Sequence, residues 1–266
     1  MRASALLALA LCSGCLTAPL PDLSDLRWQP IGPRLCGGRV EALAAAGDTL
    51  FVGAGSGNLW RQRGADAPWE AVFDDQESFA IGAVAVAPSD SDVVWVGTGE
   101  VLMARSSYAG DGVYVSRDGG DSWQNVGLRD SFHIGRIVVH PTDPNTVWVA
   151  AIGHNYTQNA ERGVFCTRDG GATWQHVLRV DDRSGAVDVV LHPDDPDVLY
   201  AVTWERDRKA WNNVEYGPGS GLHRSSDGGA TWQRLAGGLP TGGFIGRIGV
   251  AIARSQPSTL YAVVDD

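Results

Sequence analysis

An all-β propeller of four-stranded antiparallel blades is the fold the sequence predicts. Three observations predict it: one β-patterned unit recurs five times, tight turns rich in glycine and aspartate punctuate three of the recurrences, and tryptophan stands at a fixed place in those turns. The 34 Gly and 13 Pro suit a chain with many reversals, and the 10 Trp supply bulky anchors beneath them.

The units align on a glycine followed by a strand pattern: Gly38 (GRVEALAA), Gly82 (GAVAVAPS), Gly135 (GRIVVHPT), Gly185 (GAVDVVLH) and Gly246 (GRIGVAIA). A turn of Pro, Asp, Asn or Ser follows, and then a second run: TLFVGAG, VVWVGTGE, TVWVAAIG, VLYAVTW and TLYAVVD. These runs are apolar throughout, as expected of strands covered on both faces. After a loop of variable length come a third strand, a turn and a fourth strand. The turns are SRDGGDSW (116–123), TRDGGATW (167–174) and SSDGGATW (225–232). A period of roughly 45–60 residues with four short strands is that of a propeller blade, not of a helical solenoid.

Each turn has a local logic. Asp118, Asp169 and Asp227 can accept backbone N–H groups across the turn, and the paired glycines supply positive φ. Trp123, Trp174 and Trp232 are placed to bury a ring between neighbouring blades. These motifs resemble the Asp-box (BNR) repeat, S/T-x-D-x-G-x-T/S-W, of sialidases, xyloglucanases and sortilin-type propellers. In those families the box is a structural turn away from the active site. The resemblance therefore implies a structural role for these aspartates and says little of function.

The first unit lacks a full box: GNLWRQRGADAPWEAV keeps only Trp60 and Trp69. Trp28-Gln29-Pro30-Ile31-Gly32 matches the fourth-strand pattern of Trp123-Gln124-Asn125-Val126-Gly127. A lone fourth strand suggests ring closure through the N-terminal strand, which would remove exposed edges. The fifth unit runs only into its second strand at Asp266, so the expectation is four blades and the start of a fifth, the N-terminal part of a longer propeller.

Targeting is expected at the N-terminus. Met1-Arg2 and the apolar run 5–11 read as an export signal too short to span a bilayer as a mature helix. Small residues before Cys15 resemble a bacterial lipobox, which implies lipidation of Cys15. Cys12 departs from that pattern, so ordinary signal cleavage remains the alternative. The expected division is a lipoprotein-type signal peptide over 1–18, a linker over 19–27 and a propeller over 28–266. The expected location is extracytoplasmic, as a periplasmic or outer-membrane lipoprotein or else secreted, with the membrane reached only through a lipid anchor. Cys36 and Cys166 are expected to stay unpaired, since they fall in different repeats. A formal charge of −10 argues against a nucleic-acid surface, which needs a basic stripe. No metal-ligand spacing, phosphate loop or Ser/His/Asp order is present in the sequence, so no metal or cofactor is expected.

Strand parity assigns the Asp boxes and the turns HPTDPN and HPDDPD to one face. The long loops 99–112, 153–163 and 203–221 fall on the other, where binding on a rigid scaffold usually sits. Arg39, Arg136 and Arg247 each follow the glycine that opens an innermost strand. Three guanidinium groups there could hold a carboxylate or phosphate, or could pair with Glu100, Asp111, Glu161 or Glu205 and hold the mouth together. His133, His154, Trp211 and Tyr216 complete the candidate ligand-binding set, with Tyr108, Tyr156 and Trp204 as further aromatics for stacking.

Beyond the boxes, WQPIGP (28–33), GGRV (37–40), FDDQ (73–76), IGAVAVAPSDSDVVWVGTGE (81–100), GDGVYVSRDGGDSW (110–123), HIGRIVVHPTDPNTVWVAAIGH (133–154) and ERGVF (161–165) resemble exported bacterial BNR/sortilin-N-terminal-like propellers, within the wider WD40/YVTN/BNR-like group. The resemblance implies a scaffold that binds a protein, peptide or glycan on its long-loop face. The alternative is a glycoside hydrolase related to the Asp-box xyloglucanases. Those enzymes carry a catalytic Asp at the end of the second strand of the first blade, and the matching VGAGSGNLW (52–60) has no carboxylate. If hydrolysis occurs, Glu100 and Glu205 are the candidate acids, with Glu161 behind them. A third reading, an assembly factor like the lipoprotein propellers that help build photosystem II, has no loop feature in its favour.

Overall fold

The apolar second strand of each unit needs cover on both faces, and stacking the units like fan blades supplies it. The computed structural model describes residues 38–240 and 243–266, within the unit Gly37–Asp266. Trp28–Gly32, Cys15 and Cys36 lie outside the described residues.

Blade one comprises β1 (Val40–Ala46), β2 (Thr49–Ala54), β3 (Asn58–Arg63) and β4 (Glu70–Ala71). Blade two comprises β5 (Ile81–Ala87), β6 (Asp90–Thr98), β7 (Val113–Ser116) and β8 (Gln124–Asn125). Blade three comprises β9 (Ile134–Val139), β10 (Val147–Ala151), β11 (Gly163–Thr167) and β12 (Gln175–Leu178). Blade four takes β13 (Ser184–Leu191) and β14 (Leu199–Glu205), is interrupted by the hairpin β15 (Asp207–Arg208) and β16 (Asn213–Val214), and resumes with β17 (Gly221–Ser225) and β18 (Gln233–Leu235). β19 (Ile248–Ile252) and β20 (Leu260–Val264) pair as the fifth unit. All pairings are antiparallel and run in sequence order from the inner strand outward. The expected all-β propeller architecture is therefore present, and blade one completes four strands without an Asp box.

Three of the four core clusters sit between consecutive blades. Val94 and Val96 of β6 face blade one with Phe51, Leu59 and Phe73, while Trp95 faces blade three with Ile137 and Val149. Trp148 and Ala150 of β10 then face blade four with Val189 and Ala201. Alternate residues of one strand thus feed two interfaces, which is why these strands read as unbroken apolar runs.

The opening glycines have a packing cause. A Cβ on Gly135 would lie 2.4 Å from the carbonyl oxygen of Val187, and one on Gly185 would lie 2.0 Å from that of Ile152. Adjacent blades approach backbone to backbone there, at an inner strand for Gly135 and at the end of β10 for Gly185, so any side chain would force them apart.

The three boxes share one geometry. Asp118 Oδ1 accepts the backbone N–H of Asp121 (3.0 Å) and Ser122 (2.9 Å). Asp169 accepts the N–H of Thr173 and Asp227 that of Thr231, both at 2.9 Å. The glycine pairs lie at φ of 67 to 93°. The box tryptophans reach backwards: Trp123 Nε1 donates to Val72 O and Trp174 Nε1 to Val126 O, each at 2.7 Å. Trp232 instead donates to Gly229 O within its own turn. Cys166 is a free, buried thiol between blades three and four.

Candidate functional site

Antiparallel order from inner to outer strand places the long loops and blade-to-blade links on one face, opposite the boxes. The loops there are locked to one another. Loop 99–112 leaves blade two and packs Met103 against Ile152, Trp204, Ile245 and Ile248 of blades three to five. Its carbonyls serve as anchor points: Val101 O accepts Arg247 (3.1 Å), Met103 O accepts Arg206 (2.8 Å), Ala104 O accepts Asn155 (2.9 Å) and Arg105 O accepts the Tyr156 hydroxyl (2.6 Å). Met103 adopts φ 57°, an unusual conformation for a side-chain-bearing residue, imposed by this tertiary network. Arg206 also bonds Asn155 and Glu215, and lies over the Trp204 ring at 4.9 Å, with Arg247 over the same ring at 5.4 Å. Burial lowers the proton affinity of both guanidinium groups.

Beneath Val101 lies an axial cleft of about 320 Å³, lined by the inner strands and by Glu41, Arg136, Asp188 and Arg247. The three arginines have different partners. Arg39 bridges Glu41 (2.5 Å) and Glu100 (3.2 Å), and Arg136 pairs with Asp188 (2.9 Å). Arg247 has no carboxylate within ion-pair distance among the described residues and is anchored on Val101.

Glu100 is 4% exposed and also accepts the Tyr108 N–H, while Glu205 is 5% exposed, pairs with Arg183 (3.1 Å) and accepts Gly219 N–H (2.8 Å). Both hold loops in place. The position just after β2, Gly55, points at this cluster: a Cβ there would lie 3.0 Å from Glu41 Cγ and 3.3 Å from Glu100 Cγ. The carboxylates of neighbouring strands occupy the space that a side chain at 55 would enter.

Glu161 differs from Glu100 and Glu205. Burial, then the nearby Asp130 charge, raises its pKa, and its Oε2 is buried without a hydrogen-bond partner. Asp130 Oδ1 meets His154 Nε2 at 3.0 Å, His154 Nδ1 meets Thr157 Oγ1 at 2.7 Å, and Phe132 stacks on the imidazole at 3.8 Å. His133, by contrast, is buried, pairs Nδ1 with Glu100 O (2.9 Å), and burial lowers its pKa to about 4. It is a neutral strut.

Exposed aromatic side chains collect on this face. Trp211 (85% exposed), Tyr216, Tyr108 and Tyr156 were legible in the sequence as loop aromatics. Phe79 and Phe244, on blade-to-blade links, were not; they stand beside Tyr108 (4.9 Å) and Tyr216 (5.3 Å). Of the eight exposed aromatic residues among those described, six lie here, with only Trp69 and Tyr261 elsewhere. Arg162 was also missed: it is buried, donates to the carbonyls of Ile152, His154 and Thr157, and is lowered by burial to a pKa of about 10. Among the described residues no group of three His, Cys, Asp or Glu is placed to hold a metal.

Comparison with known proteins follows the same lines. The chain is 26% identical to a xyloglucanase from a Paenibacillus species, over 89% of this chain and 25% of that protein. It spans about a quarter of that relative's length. Among solved structures it resembles an ancestral GH74 enzyme (TM-score 0.62, 22% identity, 85% of this chain and 29% of that one). It also resembles the GH74 xyloglucanase from Xanthomonas campestris (TM-score 0.59, 18% identity, 84% and 34%). The family model described as sortilin, neurotensin receptor 3, matches residues 111–256, more than half of the chain. The chain belongs to the Sortilin-Vps10 family of β-propellers.

Proposed function

We propose that this chain supplies the glycan-binding face of a xyloglucanase-like glycoside hydrolase. The observation that carries the reading is the gathering of Phe79, Tyr108, Tyr156, Trp211, Tyr216 and Phe244 on the face opposite the Asp boxes. Flat aromatic faces stack on the apolar faces of sugar rings, and a polar rim hydrogen-bonds the hydroxyls. The similarity to xyloglucanases favours a glycan over a peptide as the ligand.

Hydrolysis needs two carboxyl groups, one kept protonated as the acid. Glu100 and Glu205 are themselves buried and tied up in ion pairs with Arg39 and Arg183, which close them off from a substrate. Glu161, with its raised pKa and Asp130 alongside, is the better-placed acid. A non-catalytic scaffold is the second reading, favoured by the absence of a carboxylate at Gly55.

Affinity electrophoresis in xyloglucan-containing gels, with a reducing-sugar assay beside it, tests both. Retarded migration that is relieved in Tyr108→Ala or Trp211→Ala supports the glycan-binding face. Unretarded migration, or retardation indifferent to both substitutions, overturns it. Sugar release abolished in Glu161→Gln supports the hydrolase reading; binding without release leaves the scaffold.

A further inference from the structure

The inner strands turn one face to the axis, and that face changes character along its length. Toward the long loops it carries Glu41, Asp188 and Arg247. Toward the Asp boxes it carries valine: Val86, Val138, Val190 and Val250, from β5, β9, β13 and β19 and all half-buried. Threonine is β-branched too and suits a strand as well, so strand formation alone does not call for four apolar side chains here. The valines line a groove of about 610 Å³. Arg136, paired with Asp188, lies between this groove and the polar cleft above it.

The mouth of the groove is acidic. Pro88, Pro141 and Pro193 line it, and the turns they belong to bring Asp90, Asp92, Asp143, Asp194, Asp195 and Asp197. All but Asp143 are exposed, and none of the six is in an ion pair among the described residues. Arg254, in the turn after β19, is the one Lys or Arg that these turns contain. An apolar groove rimmed by unpaired carboxylates selects an occupant of opposite charge.

We infer that this groove docks a basic polypeptide segment, with an aliphatic side chain against the valines and Lys or Arg over the aspartates. No Trp, Tyr or Phe lines the groove, so it offers a sugar ring no stacking platform. A second copy of this chain, with its formal charge of −10, would be repelled, as would an anionic lipid surface. Among the described residues the carboxylates are not grouped to hold a metal ion.

The groove opens on the face opposite the long loops, so the inference is independent of the glycan reading. Fluorescence anisotropy of the full chain with a labelled Lys-Arg-Leu-Leu-Lys-Arg peptide tests it, beside Lys-Arg-Gly-Gly-Lys-Arg and Glu-Glu-Leu-Leu-Glu-Glu. The first peptide should bind, more weakly as salt is added, and the other two should bind roughly tenfold less tightly or worse. Val138→Thr with Val190→Thr, and separately Asp92→Asn with Asp194→Asn, should each weaken binding roughly fivefold. The asparagine pair replaces exposed side chains and should leave Tm within about a degree, which keeps the test valid where the threonine pair unfolds. No binding of the first peptide at millimolar concentration overturns the proposal. So do equal binding of the glycine peptide, and binding that Trp211→Ala weakens while the asparagine pair does not.

Discussion

The indole N–H of Trp174 donates to the carbonyl oxygen of Val126 at 2.7 Å, tying the turn of blade three to the outer strand of blade two. The ring also packs edge-on to Trp95, so one side chain seals the interface and satisfies a carbonyl at its rim. Trp174→Ala should therefore lower unfolding stability by about 3 kcal/mol, the range for truncating a large aromatic. Trp174→Phe, which keeps most of the ring but loses the donor, should cost less. Urea denaturation of the two variants checks the order.

Acid should weaken the protein in two stages. Burial lowers the pKa of His133 and His223 to about 4, so between pH 6.5 and 4 the unfolded chain binds protons that the folded chain does not. Stability therefore falls as pH drops through that window, by about 3 kcal/mol for each imidazole. The Asp-box carboxylates come next. Hydrogen bonds from Ser122, Thr173 and Thr231, foremost, hold Asp118, Asp169 and Asp227 at about 2, below the unfolded value. Their contribution is complete above the unfolded pKa and is lost as pH falls toward 2. A pH series of Tm values should show continuing decline below pH 4, shallower in a variant with all three aspartates replaced by alanine.

Arg206 fastens blade four to loop 99–112 through Met103 O and to loop 153–163 through Asn155. Arg206→Met should keep much of the apolar volume over Trp204 while releasing both carbonyl groups. Limited proteolysis is expected to cut within 99–112 at least tenfold faster, with Asp-box segments unaffected.

Trp211 and Tyr108 are exposed, so Trp211→Ala and Tyr108→Ala should leave Tm within about a degree of the parent, in line with the small effect of surface substitutions. Each should weaken xyloglucan binding by roughly five- to tenfold, as removal of one stacking platform does. Isothermal titration with a xyloglucan oligosaccharide measures both constants.

The blades were legible because their determinants are local. An aspartate four residues before the N–H it accepts, two glycines at positive φ and a tryptophan next in line specify the turn wherever they occur. Face parity then followed from antiparallel pairing. The locking of the loops was not legible: Arg206 and Met103 lie 103 residues apart, and no period marks either. The same holds for Glu41, which no motif singles out, yet which shares Arg39 with Glu100 beside Gly55. Phe79 and Phe244 escaped notice because they sit on blade-to-blade links, outside the three loops singled out in the sequence.

The central claim is that the long-loop face binds a glycan. Hydrogen-exchange footprinting of the full chain with xyloglucan oligosaccharides tests it most directly. Protection within 99–112 and 203–221, with 116–123, 167–174 and 225–232 unchanged, is the predicted result. Protection confined to the three Asp-box turns, or none at saturating oligosaccharide, would contradict it.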